Sequence, residues 1–117
     1  MYEIQKDFAL SYSHQLAGLP DDHQCARMHG HNAVVRITLA ADELDATGFV
    51  MDYGDLKPLK TFLDDTLDHR HINDVFDWNP TAENLAYWLF WWASALGWPV
   101  KSVGWSETPK TWAVYRP

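Results

Sequence analysis

Residues Tyr2 to Leu10 alternate, with Tyr2, Ile4, Phe8 and Leu10 on one face and Glu3, Gln5 and Asp7 on the other, and only Lys6 breaks the pattern. Period-two alternation predicts a half-buried strand. Residues 29 to 39 repeat it, with Ala33, Val35, Ile37 and Leu39 facing one way and Arg36 and Thr38 the other. The turn-rich segment "AGLPDDHQCARM" between them reads as a loop. After "DATG", Asp52 is placed to cap a helix from about Tyr53 to Leu67, and Pro58 falls early enough to be tolerated. Leu56, Leu59, Leu63 and Leu67 form its apolar stripe. A second helix follows "WNPTAEN", where Asn79, Pro80 and Glu83 are start signals, and it ends near Gly97. Its apolar residues go most of the way round: Leu85, Trp88, Leu89 and Trp92 on one side, Tyr87, Phe90 and Trp91 on the others. A helix without a clear polar face usually has two partners, here its own sheet and a neighbouring subunit. Residues 100 to 107 and 111 to 116 predict a hairpin closed by "TPK". The order β-β-α-α-β-β defines an α+β class with antiparallel strand pairs.

Length and composition narrow this picture. A chain of 117 residues with 47% hydrophobic residues suits one domain over 1–117 with a real core. Its surface-to-volume ratio is unfavourable, and burial between subunits would relieve it. A net charge of −7 argues against nucleic-acid and anionic-membrane partners, which need a basic face, but not against a small anionic ligand. The stretch "LAYWLFWWASALGWPV" is interrupted by Ser94, Gly97 and Pro99 and falls short of the ~18 to 20 apolar residues of a membrane span. One cysteine allows no internal disulfide, and no signal sequence is evident at the N-terminus, so a reducing cytoplasm is expected.

Candidate chemistry concentrates in "CARMHGHNAVV". His29 and His31, two apart on a strand, point the same way and can reach one ion. Gly30 between them permits an unusual backbone or a close approach. A bare H-x-H is equally consistent with two hydrated loop histidines, so a third ligand is decisive. His14, at the end of the first strand region, is the best candidate. Three histidines leave a fourth position open, as in catalytic zinc sites. Cys25 fits a buried filler, a fourth ligand that would close the site, or a low-pKa proton carrier. Asp68–His69 can orient an imidazole for proton transfer, although adjacent helical residues do not face each other. Glu107 shares a strand face with Val103 and Trp105, where a buried carboxylate needs donors. A flat heterocycle presenting an N–H and an amino group would supply them.

The fragments "LSYSHQL", "CARMHGHN", "GFVMDYGDLK", "LDHRHIN", "NPTAEN" and "WSETPKT", in this order, resemble the 6-pyruvoyl-tetrahydropterin synthase family over nearly the whole chain. The resemblance implies a T-fold: a four-stranded antiparallel sheet with two helices on one face, assembled as paired trimers with active sites between subunits. It implies zinc on His14, His29 and His31. It also implies a proton-transfer set of Cys25 with Asp68 and His69, the latter two from a neighbouring subunit. By the same resemblance Glu107 anchors a pterin ring, with Thr108 beside it and Thr81 in the segment lining the pocket.

The spacing C-x-x-x-H-G-H resembles the bacterial 6-carboxytetrahydropterin synthases of queuosine biosynthesis. That implies conversion of 7,8-dihydroneopterin triphosphate to 6-carboxy-5,6,7,8-tetrahydropterin with loss of acetaldehyde and triphosphate. The competing readings are a 6-pyruvoyl-tetrahydropterin synthase and a zinc-stabilised oligomer that binds a pterin without turning it over. The chain departs from the family pattern at Leu10 and Tyr12, where Phe and a small residue are usual, and at His71 and Trp105. Tyr12 adds bulk near the metal. No glycine-rich phosphate loop is present, and the triphosphate is expected to meet scattered basic residues such as Arg27.

Overall fold

A computed structural model describes residues 1–117. Strand β1 (Tyr2–His14) and strand β2 (His29–Ala41) form a long antiparallel ladder. The alternating apolar positions are indeed one face: Phe8, Leu10 and Tyr12 of β1 and Ala33, Val35, Ile37 and Leu39 of β2 are buried. Lys6 lies on that face too, and its ammonium sits 5.4 Å from the centre of the Phe8 ring. Strand β1 runs on past Leu10, so His14 forms the last rung of the ladder, directly opposite His29, where the second strand begins as expected.

The Asp52 side chain accepts from Gly54 N and starts the next segment. This segment is not one uniform helix. A 3₁₀ turn (Tyr53–Leu56) leads into α1 (Lys57–Phe62), which widens into a π turn (Leu63–Leu67). Leu56, Leu59, Leu63 and Leu67 are all buried, so the apolar stripe survives the changes of pitch. The π turn closes with Asp68 N donating to Leu63 O at 2.8 Å. A short strand β3 (Arg70–His71) then pairs parallel with Tyr12 and Ser13, an edge that periodicity over two residues could not reveal.

Helix α2 (Ala82–Ser94) starts at Thr81, whose side chain accepts from Asn84 N, and the chain turns out of it at Gly97, where φ is +86°. That left-handed conformation suits glycine. Leu85, Ala86, Leu89, Phe90 and Ala93 face the core, while Trp88 and Trp92 pack on Phe62 of the first helical segment. Tyr87 and Trp91 remain 51% and 47% exposed, so the second helical partner expected from its all-round apolar surface is only partly supplied within the chain. Strands β4 (Val100–Thr108) and β5 (Thr111–Tyr115) complete a sheet of order β3-β1-β2-β4-β5. Four antiparallel strands and two helices agree with the expected α+β T-fold, and β3 is the addition. The long ladder makes the chain elongated, 55 × 25 × 25 Å. No helix is long and apolar enough to cross a membrane.

Candidate metal centre

The β1–β2 register pairs His14 with His29 and Tyr12 with His31. Strand alternation turns all four rings to the helix-covered face. The ligand-capable nitrogens of His14, His29 and His31 lie within 4.8 Å of one another, with ring centroids 4.5 to 5.0 Å apart. Gly30 lets the strands approach here, since a Cβ on it would stand 3.3 Å from the Tyr12 carbonyl oxygen.

Two backbone carbonyls set the tautomers. His14 Nδ1 is 2.9 Å from Pro80 O, and His29 Nδ1 is 2.8 Å from Arg27 O. A carbonyl can only accept, so each Nδ1 carries a proton, and Nε2 is the nitrogen left to face the cluster. Burial, the larger influence, holds the His14 imidazole below its ordinary pKa and so favours its neutral form, against the Pro80 contact, which pulls the pKa up. His14 Nε2 is fully buried and has no hydrogen-bond partner. An orphaned buried nitrogen is costly unless something binds it. Converging imidazoles, two of which donate from their outer nitrogens to carbonyls, are the arrangement of a metal-ligand set with its orienting shell. The donors suit zinc, which is bound by imidazole nitrogen.

Glu107 faces this cluster from β4. Its Oε2 lies 3.3 Å from both His14 Nε2 and His31 Nε2, and it accepts the Tyr12 hydroxyl proton at 2.9 Å. Trp105 Nε1 donates to the same hydroxyl at 2.9 Å. Burial, reinforced by the Glu107 charge, drives the Tyr12 phenol pKa far upward, so it remains a neutral donor. The donor that Glu107 needs is therefore supplied by Tyr12, a residue whose sequence position suggested only bulk. Its place two residues before His14, on the same strand face, is the signal that could have found it. The Pro80 and Arg27 carbonyls carry no such signal, because backbone groups are invisible to residue type.

The other candidates make no hydrogen bond to the triad, although His69 borders one cleft with His31. Cys25 is half-buried in a 3₁₀ turn (Gln24–Ala26), with its N–H donating to His23 Nδ1 and its carbonyl accepting from Leu16 N. No hydrogen bond or ion pair joins its thiol to the histidines or to His69. Asp68 and His69 do meet, because Asp68 has left the π turn in an extended conformation and His69 adopts φ +58°. His69 Nδ1 lies 2.8 Å from Asp68 Oδ2, and Asp68 Oδ1 accepts from Ser11 N at 2.8 Å. The Ser11 bond first, and His69 second, hold the Asp68 carboxyl below the usual range. His69 is 81% exposed and so is presented outward. Beside it, Ser11, Ser13, Asn32, His69, Arg70 and His71 border a polar cleft of about 370 Å³, and His71 Nδ1 is 2.9 Å from Ser13 Oγ. Thr81 caps α2, and the exposed Thr108 hydroxyl is 2.8 Å from that of Thr111. Neither side chain touches the triad through a hydrogen bond.

A small α+β domain that converges three histidines on one point, with a carboxylate against two of them, defines a metal-capable enzyme-type site. The sequence matches the 6-pyruvoyl tetrahydropterin synthase family over residues 3–117. It is 36% identical to the 6-carboxy-5,6,7,8-tetrahydropterin synthase of Synechocystis sp., over 77% of this chain and 73% of that protein. It is 32% identical to the enzyme of the same name from Bacillus subtilis, over 99% and 86%. The structure of Caenorhabditis elegans 6-pyruvoyl tetrahydropterin synthase superposes with a TM-score of 0.85 at 27% identity, covering 99% of this chain and 95% of that one. The chain belongs to this family of pterin-processing enzymes.

Proposed function

We propose that the protein is a zinc-dependent lyase that converts 7,8-dihydroneopterin triphosphate to 6-carboxy-5,6,7,8-tetrahydropterin, releasing acetaldehyde and triphosphate. The observation that carries this reading is the convergence of His14, His29 and His31 on one point in a chain similar end to end to named 6-carboxytetrahydropterin synthases. His14, His29 and His31 would hold the zinc, which when bound supplies Lewis acidity toward the substrate's side-chain oxygens.

The chain's own groups do the rest. Glu107 holds the ring through its N–H and amino donors, with Thr108 beside it and the Thr81 segment along the pocket. Cys25, as thiolate, takes a proton from the substrate side chain and returns one. His69, with its Nδ1 proton held on Asp68, keeps an Nε2 lone pair free to relay protons. The pterin ring gains two electrons as the side chain loses two, so no external reductant enters. The carboxy product also requires one carbon–carbon cleavage and one water, whereas a pyruvoyl product keeps all the side-chain carbons.

No hydrogen bond joins Cys25 to the outward-facing His69 within one chain, which supports a site completed between subunits. We assign a homo-hexamer of paired trimers, with the half-exposed Tyr87 and Trp91 among the surfaces available for contact. The free Cys25 thiol suits a reducing cytoplasm.

Cys25→Ala tests the assignment. Zinc-loaded wild type and variant are compared for pterin binding by fluorescence and for turnover of 7,8-dihydroneopterin triphosphate. Binding retained with turnover lost supports the lyase. Equal product formation removes Cys25 from the mechanism. Binding without turnover in the wild type would favour a pterin-holding oligomer instead.

A further inference from the structure

The Trp105–Tyr12–Glu107 chain runs through an otherwise apolar layer. Trp105 is 1% and Tyr12 4% exposed, and a buried polar atom left unpaired is costly. Apolar side chains at both positions would avoid that requirement, so the core alone does not call for this pair. The direction of each bond is fixed by chemistry. An indole N–H only donates, so Tyr12 Oη accepts it and directs its own proton to Glu107 Oε2.

That oxygen, so aimed, lies 3.3 Å from His14 Nε2 and 3.3 Å from His31 Nε2. The His14 proton is on Nδ1, committed to Pro80 O. Its Nε2 therefore faces the carboxylate oxygen with no hydrogen-bond partner of its own. Two ligand atoms on one tetrahedral zinc, each bonded at about 2.0–2.1 Å, stand about 3.3 Å apart. The Glu107 oxygen thus has the spacing of a further ligand along the His14–His31 edge of the site.

We infer that Glu107 is a fourth protein donor to the metal ion in the substrate-free protein, and that Tyr12, anchored by Trp105, is the positioning residue that aims its carboxylate there. The inference rests on the reading of His14, His29 and His31 as metal ligands. It gives Glu107 a task before the ring arrives. The substrate's ring donors would then compete for the same carboxylate in an exchange between ion and ring. Tyr12, at a position where the family pattern has a small residue, sets how readily that exchange occurs.

The test uses metal-stripped full-length protein, titrated with Co2+ for its visible spectrum and with Zn2+ in competition with a chromophoric chelator. Wild type, Glu107→Gln, Tyr12→Phe and Trp105→Phe are compared. Zn2+ affinity is expected to fall about 10- to 100-fold in Glu107→Gln and about tenfold in Tyr12→Phe, and the Co2+ spectrum to change in both. Trp105→Phe should move in the same direction as Tyr12→Phe, since its loss frees the phenol. Affinity and spectrum unchanged in Glu107→Gln overturn the inference while leaving the histidine site standing. A wild type that binds neither metal removes the histidine site and the inference together. Should Glu107→Gln fail to fold, Tyr12→Phe, which lacks a single oxygen, decides the matter, and an unaltered spectrum there overturns it.

Discussion

His69 Nδ1 lies 2.8 Å from the carboxylate of Asp68, its immediate neighbour in sequence. Adjacent helical residues diverge, so this contact exists only because the helical segment ends one residue earlier. Asp68 is extended, and His69 takes the left-handed conformation at φ +58°.

A left-handed backbone costs a β-carbon-bearing residue roughly 1–2 kcal/mol, and glycine nothing comparable. His69→Gly is therefore expected to be more stable than His69→Ala by about 1 kcal/mol, while both lack turnover. Urea unfolding of the two variants checks the first statement. Equal midpoints and slopes would mean that the backbone at 69 carries no strain.

Asp68 gives stability a pH dependence of definite sign. Its folded-state pKa lies below the ordinary 3.8, so its contribution is fully present above that value and is lost as pH falls through the folded pKa. Asp68→Asn should be less stable than wild type at neutral pH, with the difference shrinking as pH drops below 3.8. Urea midpoints measured from pH 7 downward provide the comparison. A difference that grows on acidification would contradict the assignment.

Thr81 has a structural task whatever it does for the pterin, because its hydroxyl caps α2 through Asn84 N at 3.1 Å. Thr81→Ala should cost about 1 kcal/mol of stability, and Thr81→Ser should restore it. A stability loss with unchanged KM would confine Thr81 to capping. A raised KM in Thr81→Ala that Thr81→Ser leaves in place would show that the methyl group contributes to the pocket.

Much of this was legible in the sequence. Leu56, Leu59, Leu63 and Leu67 identified their buried stripe because side-chain spacing, not exact pitch, decides which face is covered. His29 and His31 pointed together by simple alternation, and His14 joined them once the first two strands were paired. Other features were hidden. The π turn depends on i→i+5 bonding such as that from Asp68 N to Leu63 O, and β3 on two residues borrowed by the edge of β1. The donor to Glu107 is ninety-five positions away in sequence, and only the β1–β2–β4 strand order brings it near. The Pro80 and Arg27 carbonyls that set the histidine tautomers are backbone atoms, which no residue pattern announces. The Cys25 thiol makes no hydrogen bond inside one chain, and only the family resemblance, not the residue pattern, pointed to partners on a neighbouring subunit.

Incubating the zinc-loaded protein with enzymatically prepared 7,8-dihydroneopterin triphosphate, and identifying products by mass spectrometry, tests the central claim most directly. The account predicts 6-carboxy-5,6,7,8-tetrahydropterin together with acetaldehyde and triphosphate. A pyruvoyl product would keep the site chemistry and reassign the reaction. Unchanged substrate, with zinc bound and the fold intact, would contradict the catalytic account.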